Sequence, residues 1–413
     1  MLEKFNMQKR LYLSMFLGLT SFHQTHAELK PTPEYQLEQV VTLMRHGIRP
    51  QTNTAALEKA TGKEWFKWPV PDGTLSYRGY EGVVRQVAYP LALWKSQGLK
   101  FGNQACPDAQ QVWIYADSDQ RTAMTGEAVS QGMFGQCHVP VHVSQQKKDP
   151  LFSGVDLDRF APYFPKIQQQ FLAKIGTQQE IKQRYAKPIE TLKNTVCAAN
   201  ACQALDQDWG ITLEKGKVKL TGPLSIAANI GETVRLQYSE NLPQSEVAFG
   251  HVSSASDLEP YMQLHRAKYQ YLNELPLYAQ IGGQFLYQRI LEDLTGKSQT
   301  ANIPLIMYMG HDTNISQIQT ILGFNWKLAD GIQNDIPPAS MLVFEKYQEK
   351  STHQQYIRIY FSARNYQQWR DLTEINAAQP MQLQEFKAKS CKTTSVGTLC
   401  PMSLLEKKVP HLP

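Results

Sequence analysis

The 413-residue sequence predicts an α/β fold: a sheet core with helices on both faces and a smaller, mainly α-helical cap domain. Short apolar, β-branched runs recur along the chain, and helical patterns follow several of them. Between residues 151 and 259 these runs give way to long Gln- and Lys-rich stretches such as KIGTQQEIKQRYAKPIETLKN. Strands alternating with helices pack as a helix-covered sheet, and the polar insert reads as the helical cap. The expected core therefore spans residues 28–150 and 260–413, with the cap at 151–259.

The chain opens with basic Lys4, Lys9 and Arg10, continues with an apolar stretch from Leu11 to Phe22, and reaches small residues at Thr25 and Ala27. This is the pattern of a secretory signal cleaved after Ala27, which implies export. The apolar stretch falls short of the roughly 20 residues a membrane span needs, so no membrane association is expected after cleavage. The strand runs are Val40 to Met44, Val112 to Ala116, Ile303 to Met309, Met341 to Phe344 and Tyr356 to Phe361. Helices are expected over Tyr77 to Leu99 with a kink at Pro90, over Thr122 to Met133 after a cap at Asp117 or Ser118, and over Ile315 to Leu322 after a cap at Asp312, Thr313 or Asn314. LEKGKVKL, residues 213–220, alternates as a small hairpin does.

Losing Lys4, Lys9, Arg10 and Glu3 with the signal lowers the formal net charge from +5 to about +3. That balance does not suggest nucleic-acid binding, although local basic clusters suit an anionic ligand. Six cysteines, at 106, 137, 197, 202, 391 and 400, favour disulfides in an exported chain. Cys197 with Cys202 and Cys391 with Cys400 are near enough for local staples, which would leave Cys106 and Cys137, but proximity alone leaves other pairings open. Cys137, His138 and His142 are a weak zinc set without a CxxC, so no metal is expected.

Three strand runs end alike: VVTLM meets RHGIR, VWIYA meets DSDQRT, and IPLIMYM meets GHDTN. Loops beyond the carboxyl ends of strands form the crevice of an α/β sheet, so these three are expected to meet. They would bring together Arg45, His46, Arg49, Arg121, His311 and Asp312. Clustered guanidinium groups repel unless an anion sits among them, and their forks match phosphoryl oxygens, so the expected ligand is a small phosphorylated compound. There is no Walker-type loop and no carboxylate cluster to hold magnesium, so side chains must act directly: His46 as nucleophile, Asp312 as proton donor and His311 as a further donor to the phosphoryl oxygens. His311 with Asp312 also resembles half of an HD-type metal site, but partner histidines at suitable spacing are lacking.

At RHGIR and GHDTN the sequence resembles the histidine acid phosphatases, and within them the exported bacterial subgroup of periplasmic phytases and glucose-1-phosphatases. WPVPDGTLSYRGYE, ADSDQRTAMTGEA, GHDTNISQIQTILGF, DIPPASMLVFEKY and GTLCPM extend the likeness over most of the chain. The resemblance implies a phosphoglycerate-mutase-like core with a helical domain and the substrate in the cleft between them. It implies a phosphohistidine on His46, phosphate held by Arg45, Arg49, Arg121 and His311, protonation by Asp312, and hydrolysis without metal or cofactor. It also supports pairing Cys106 with Cys137, Cys197 with Cys202, and Cys391 with Cys400.

Two departures bear on substrate. The family signature is RHGxRxP, whereas proline comes one place early here, as Pro50. Phytases of the group tend to carry a lysine shortly afterwards, where this chain has Asn53, which weakens the phytase reading; Thr52 and Asn53 are candidate substrate contacts. Glu232 and His265 fall, by a looser match, where cap residues face the substrate. A non-catalytic phosphate-ligand binder and a phosphomutase are the alternatives: the retained nucleophile and acid argue against the first, and export argues against the second.

Overall fold

The computed structural model describes residues 34–410 other than 103, 104, 157 and 330, together with 412. The signal reading at residues 1–27 lies outside them. In chain order the strands are β1 (Tyr35–Arg45), β2 (Val112–Ala116), β3 (Val141–Val143), β4 (Gly210–Glu214), β5 (Lys217–Thr221), β6 (Leu305–Gly310), β7 (Met341–Glu349), β8 (Gln355–Ala363), β9 (Gln382–Glu385), β10 (Lys392–Thr394) and β11 (Gly397–Pro401). Nine of them form one sheet in the order β10-β11-β8-β7-β1-β6-β2-β3, with β9 added beside β8. The segment β1-β6-β2-β3 is parallel, and β7 joins β1 antiparallel.

The longer helices are α1 (Thr54–Thr61), α2 (Tyr77–Ser96), α3 (Gln120–Phe134), α4 (Phe164–Ile175), α5 (Gln178–Arg184), α6 (Ala186–Val196), α7 (Pro223–Ser239), α8 (Glu259–Lys268), α9 (Pro276–Leu294) and α10 (Asp312–Leu322). Val40 and Met44 of β1 pack with α2 and α3 on one face, through Val83, Val87 and Val129. Val41 and Leu43 pack with α9 and α10 on the other, through Leu286, Ile290, Ile315 and Ile318. This explains the unbroken VVTLM run, because a parallel strand covered on both sides has no solvent face to alternate toward. A third apolar cluster joins α4 to α8, the start of α9, Leu57 and Trp65.

Several boundaries differ from the sequence expectation. Helix α2 runs through Pro90 and closes at Ser96, not Leu99. Helix α3 starts at Gln120 with Asp119, not Asp117 or Ser118, at the N-cap position, where its carboxylate pairs with Arg121 and makes no capping hydrogen bond; the Asp117 carboxylate is engaged by His311. Helix α10 starts at Asp312 with His311 at the cap, one residue ahead of the three candidates. The 213–220 hairpin is present as β4 and β5; Lys215 (φ 48°) and Gly216 (φ 73°) supply the left-handed pair that such a two-residue turn requires.

All three cysteine pairs implied by the resemblance are formed, with Cα separations of 5.3 Å for Cys106–Cys137, 6.0 Å for Cys197–Cys202 and 4.1 Å for Cys391–Cys400. Cys137 therefore presents no thiolate, which removes it from the zinc set.

Candidate active site

The three loops meet because their strands are neighbours in the sheet. Arg45 pairs with Gly310 at the end of β1 and β6, and Ala116 pairs with Met309 at the end of β2. The RHGIR loop is then fixed from three sides. His46 N–H donates to Gly310 O (3.0 Å), Ala339 N–H donates to His46 O (3.0 Å), and Gly47 N–H donates to Thr125 Oγ1 (3.1 Å). Helix α2 approaches so closely that a Cβ on Gly47 would lie 2.7 Å from Gly79 O, and one on Gly79 would lie 2.3 Å from Ile48 O. Glycine is required on both sides of that contact.

His46 is buried, and its Nδ1 lies 2.8 Å from Gly47 O. A carbonyl only accepts, so Nδ1 carries the proton and Nε2 keeps its lone pair. Burial, and then the charges of Arg121, Arg49, Arg45 and His311, hold the imidazole well below its ordinary pKa. The ring is thus neutral at working pH and meets His311 edge to face, with centroids 5.6 Å apart.

The three guanidinium groups have different partners. Arg45 donates to Ile336 O and Glu232 Oε1 and lies 3.2 Å from Asp312 Oδ2. Arg121 pairs with Asp119 at 2.5 Å. Arg49 donates to Pro50 O at 2.9 Å, which is where the early proline places its carbonyl, and makes no ion pair among the described residues. Burial beside Arg121 and Arg45 pushes Arg49 down to about 10, against the opposing pull of Glu232 and Asp312. It remains a cation at neutral pH. The Nε–H of each of the three is buried and unpartnered among the described residues.

His311 Nε2 sits 2.7 Å from Asp117 Oδ2 and 3.6 Å from Asp119 Oδ2. Ligand atoms of these three residues lie within 4.8 Å of one another, but the two carboxylates already serve His311 and Arg121. Burial raises the Asp312 pKa, but the charges of Arg45 and Lys268 outweigh it and hold the carboxyl well below its ordinary value. Asp117 and Asp119 thus join the site beyond the six residues expected from the three strand ends, although both lie in the DSDQRT segment that follows β2.

Glu232 and His265 belong to one buried cluster with Arg235. Arg45 and Arg235 each donate to one Glu232 oxygen, and their charges overcome burial to hold that carboxyl far below its ordinary pKa. His265 Nδ1 faces Ala228 O at 3.0 Å and its Nε2 faces Arg235 at 3.3 Å; burial pushes its pKa down to about 4. A cavity of about 170 Å³ opens beside Arg49 and Glu232, lined also by Thr52, Asn53, Ser225, Asn229 and Thr233. Thr52, Asn53 and Glu232 thus reach it, whereas His265 does not line it and lies with its Nε2 3.4 Å from Glu232 Oε2. Asn53 also caps α1 by accepting from Ala56 N–H at 2.9 Å.

A helix-covered sheet whose parallel strand ends present a neutral histidine among arginines defines a phosphoryl-handling enzyme of the histidine phosphatase class. The chain belongs to the histidine phosphatase superfamily (branch 2), whose family model matches residues 36–362. It is similar to the phytase of Klebsiella sp ASR1, with 33% identity and a TM-score of 0.86 over 92% of this chain and 95% of that one. Phytase AppA of Escherichia coli is 26% identical over 95% of both chains. The glucose-1-phosphatase of Salmonella typhimurium is 26% identical over 91% of this chain and 92% of its own. The chain is a phosphomonoester hydrolase related to these bacterial phytases and glucose-1-phosphatases.

Proposed function

We propose that this enzyme hydrolyses sugar or inositol phosphates in the periplasm through a phosphohistidine on His46, with Asp312 as proton donor. The observation that carries the reading is the locked His46 tautomer: Nδ1–H is spent on Gly47 O, which leaves the Nε2 lone pair buried among Arg45, Arg49 and Arg121. In the first step Nε2 bonds to phosphorus, the ester P–O bond breaks, and the departing oxygen takes the Asp312 proton. Water then attacks phosphorus, the P–N bond breaks, and Asp312 recovers a proton from the water. Arg45, Arg49, Arg121 and His311 would hold the phosphoryl oxygens. Helices in residues 151–259 would cover the site as a cap.

Rapid alkaline quenching of the enzyme with ³²P-labelled p-nitrophenyl phosphate should trap label that survives alkali, is lost on acidification and maps to the peptide containing His46. Label on another residue would sink the assignment.

Apart from Arg49 and Glu232 the cavity is lined by uncharged side chains, polar ones such as Thr52, Asn53 and Asn229 and apolar ones such as Ala56, Leu57 and Ile226, which supports a neutral, hydroxyl-rich leaving group over one with several phosphates. Glucose 1-phosphate is therefore expected to give a higher kcat/KM than phytate. A clear preference for phytate would overturn this substrate reading and leave the chemistry standing.

A further inference from the structure

Beside the groups given a direct role, Glu232, Arg235 and Asp335 close a ring of buried charges with Arg45. Arg45 Nη2 donates to Glu232 Oε1, and Arg235 Nη2 donates to Glu232 Oε2. Arg235 Nη1 donates to Asp335 Oδ1 at 2.7 Å, and that same oxygen accepts from Ile336 N–H at 2.9 Å. Ile336 O then accepts from Arg45 Nη1, which returns the ring to its start. Tyr366 O–H donates to the other Asp335 oxygen at 2.7 Å, and Trp326 Nε1–H donates to its backbone carbonyl at 2.8 Å. Arg45 and Arg235 are fully buried, and Glu232 and Asp335 nearly so.

The ring does two things that Glu232 alone would not. It grips Arg45 at both terminal nitrogens, one from α7 and one from the loop before β7, so the guanidinium plane cannot turn. It also divides one carboxylate between two cations. A lone arginine facing a buried carboxylate pairs in fork fashion with both oxygens and spends its charge there. Arg235 occupies the second oxygen, so Arg45 keeps attraction for another anion. Asp335 in turn balances Arg235, which as an unpaired buried cation would be strongly destabilising.

We propose that Arg235 and Asp335 are positioning residues for phosphate binding: they fix the plane of Arg45 and share the charge of Glu232. The inference rests on the reading of Arg45 as a phosphate ligand. Calorimetric titration with inorganic phosphate tests it without any turnover, and p-nitrophenyl phosphate kinetics add a KM-against-kcat split. Arg235→Leu should weaken phosphate binding and raise KM by about tenfold, with a smaller fall in kcat. Arg235→Lys, which restores the charge, should recover much of the loss. Asp335→Asn keeps an acceptor for Ile336 N–H and should give an intermediate loss; it carries the test by itself if Arg235→Leu fails to fold. Wild-type phosphate affinity and KM in Asp335→Asn, whatever its melting temperature, would overturn the proposal. Absence of phosphate binding by the unaltered enzyme would instead overturn the phosphate-site reading beneath it.

Discussion

Replacing His46 with alanine is expected to lower kcat/KM for p-nitrophenyl phosphate by at least about 10⁴-fold, since it removes the atom that bonds to phosphorus. Phosphate affinity should change far less. The three guanidinium groups are held by other residues: Arg45 by Glu232 and Ile336, Arg121 by Asp119 and Arg49 by Pro50. A role for His46 in packing alone predicts the reverse pattern, with lower stability and retained turnover in the folded fraction. His46→Asn separates the two, because its amide can still donate to Gly47 O while offering no nucleophilic nitrogen. Loss of activity with retained phosphate binding in both variants is the expected outcome; turnover by His46→Asn near the wild-type rate would refute the nucleophile. His46 is held neutral by burial and by Arg121, Arg49 and Arg45, so its protonation should not shape the acid side of the activity profile in the mildly acid range.

These expectations depend on a site whose outline was legible in the sequence for a specific reason. VVTLM, VWIYA and IPLIMYM each end in polar residues, and a strand covered on both faces can present function only at its end. Strands β1, β6 and β2 are adjacent and parallel, so the three ends coincide. What stayed hidden depended on tertiary pairing. Asp117 reads as a helix cap until His311 is seen to take its carboxylate, after which Asp119 holds the capping position. Arg235 reads as one basic residue within an apolar helix; its partner Asp335 lies 100 positions away, and neither has a local pattern to announce the pair. Asn53 shows the converse ambiguity, since one residue both caps α1 and lines the cavity.

Asp312→Asn should reveal where the catalytic proton comes from. In the free enzyme the Arg45 and Lys268 cations outweigh burial and keep Asp312 ionised, so the donor lacks the proton it must give. A phosphomonoester supplies one: its second ionisation lies at a pKa of about 6, and below that pH the substrate enters as a monoanion. Transfer from bound phosphate to the carboxylate yields a protonated Asp312 beside a dianion, the pair needed for attack and departure. The sign follows: kcat/KM should be full below about pH 6 and fall as pH rises through the substrate's second pKa, because substrate and enzyme have then both lost the shared proton. The asparagine variant can accept a hydrogen bond from Arg45 as before but cannot carry the proton. Alkyl phosphates such as glycerol phosphate should lose about 10²- to 10⁴-fold, whereas p-nitrophenyl phosphate, whose leaving group departs as a stable anion, should lose much less. For that activated ester the alkaline fall should also flatten in the variant. Equal losses on both esters, or an unchanged alkaline limb, would remove Asp312 from the proton's path.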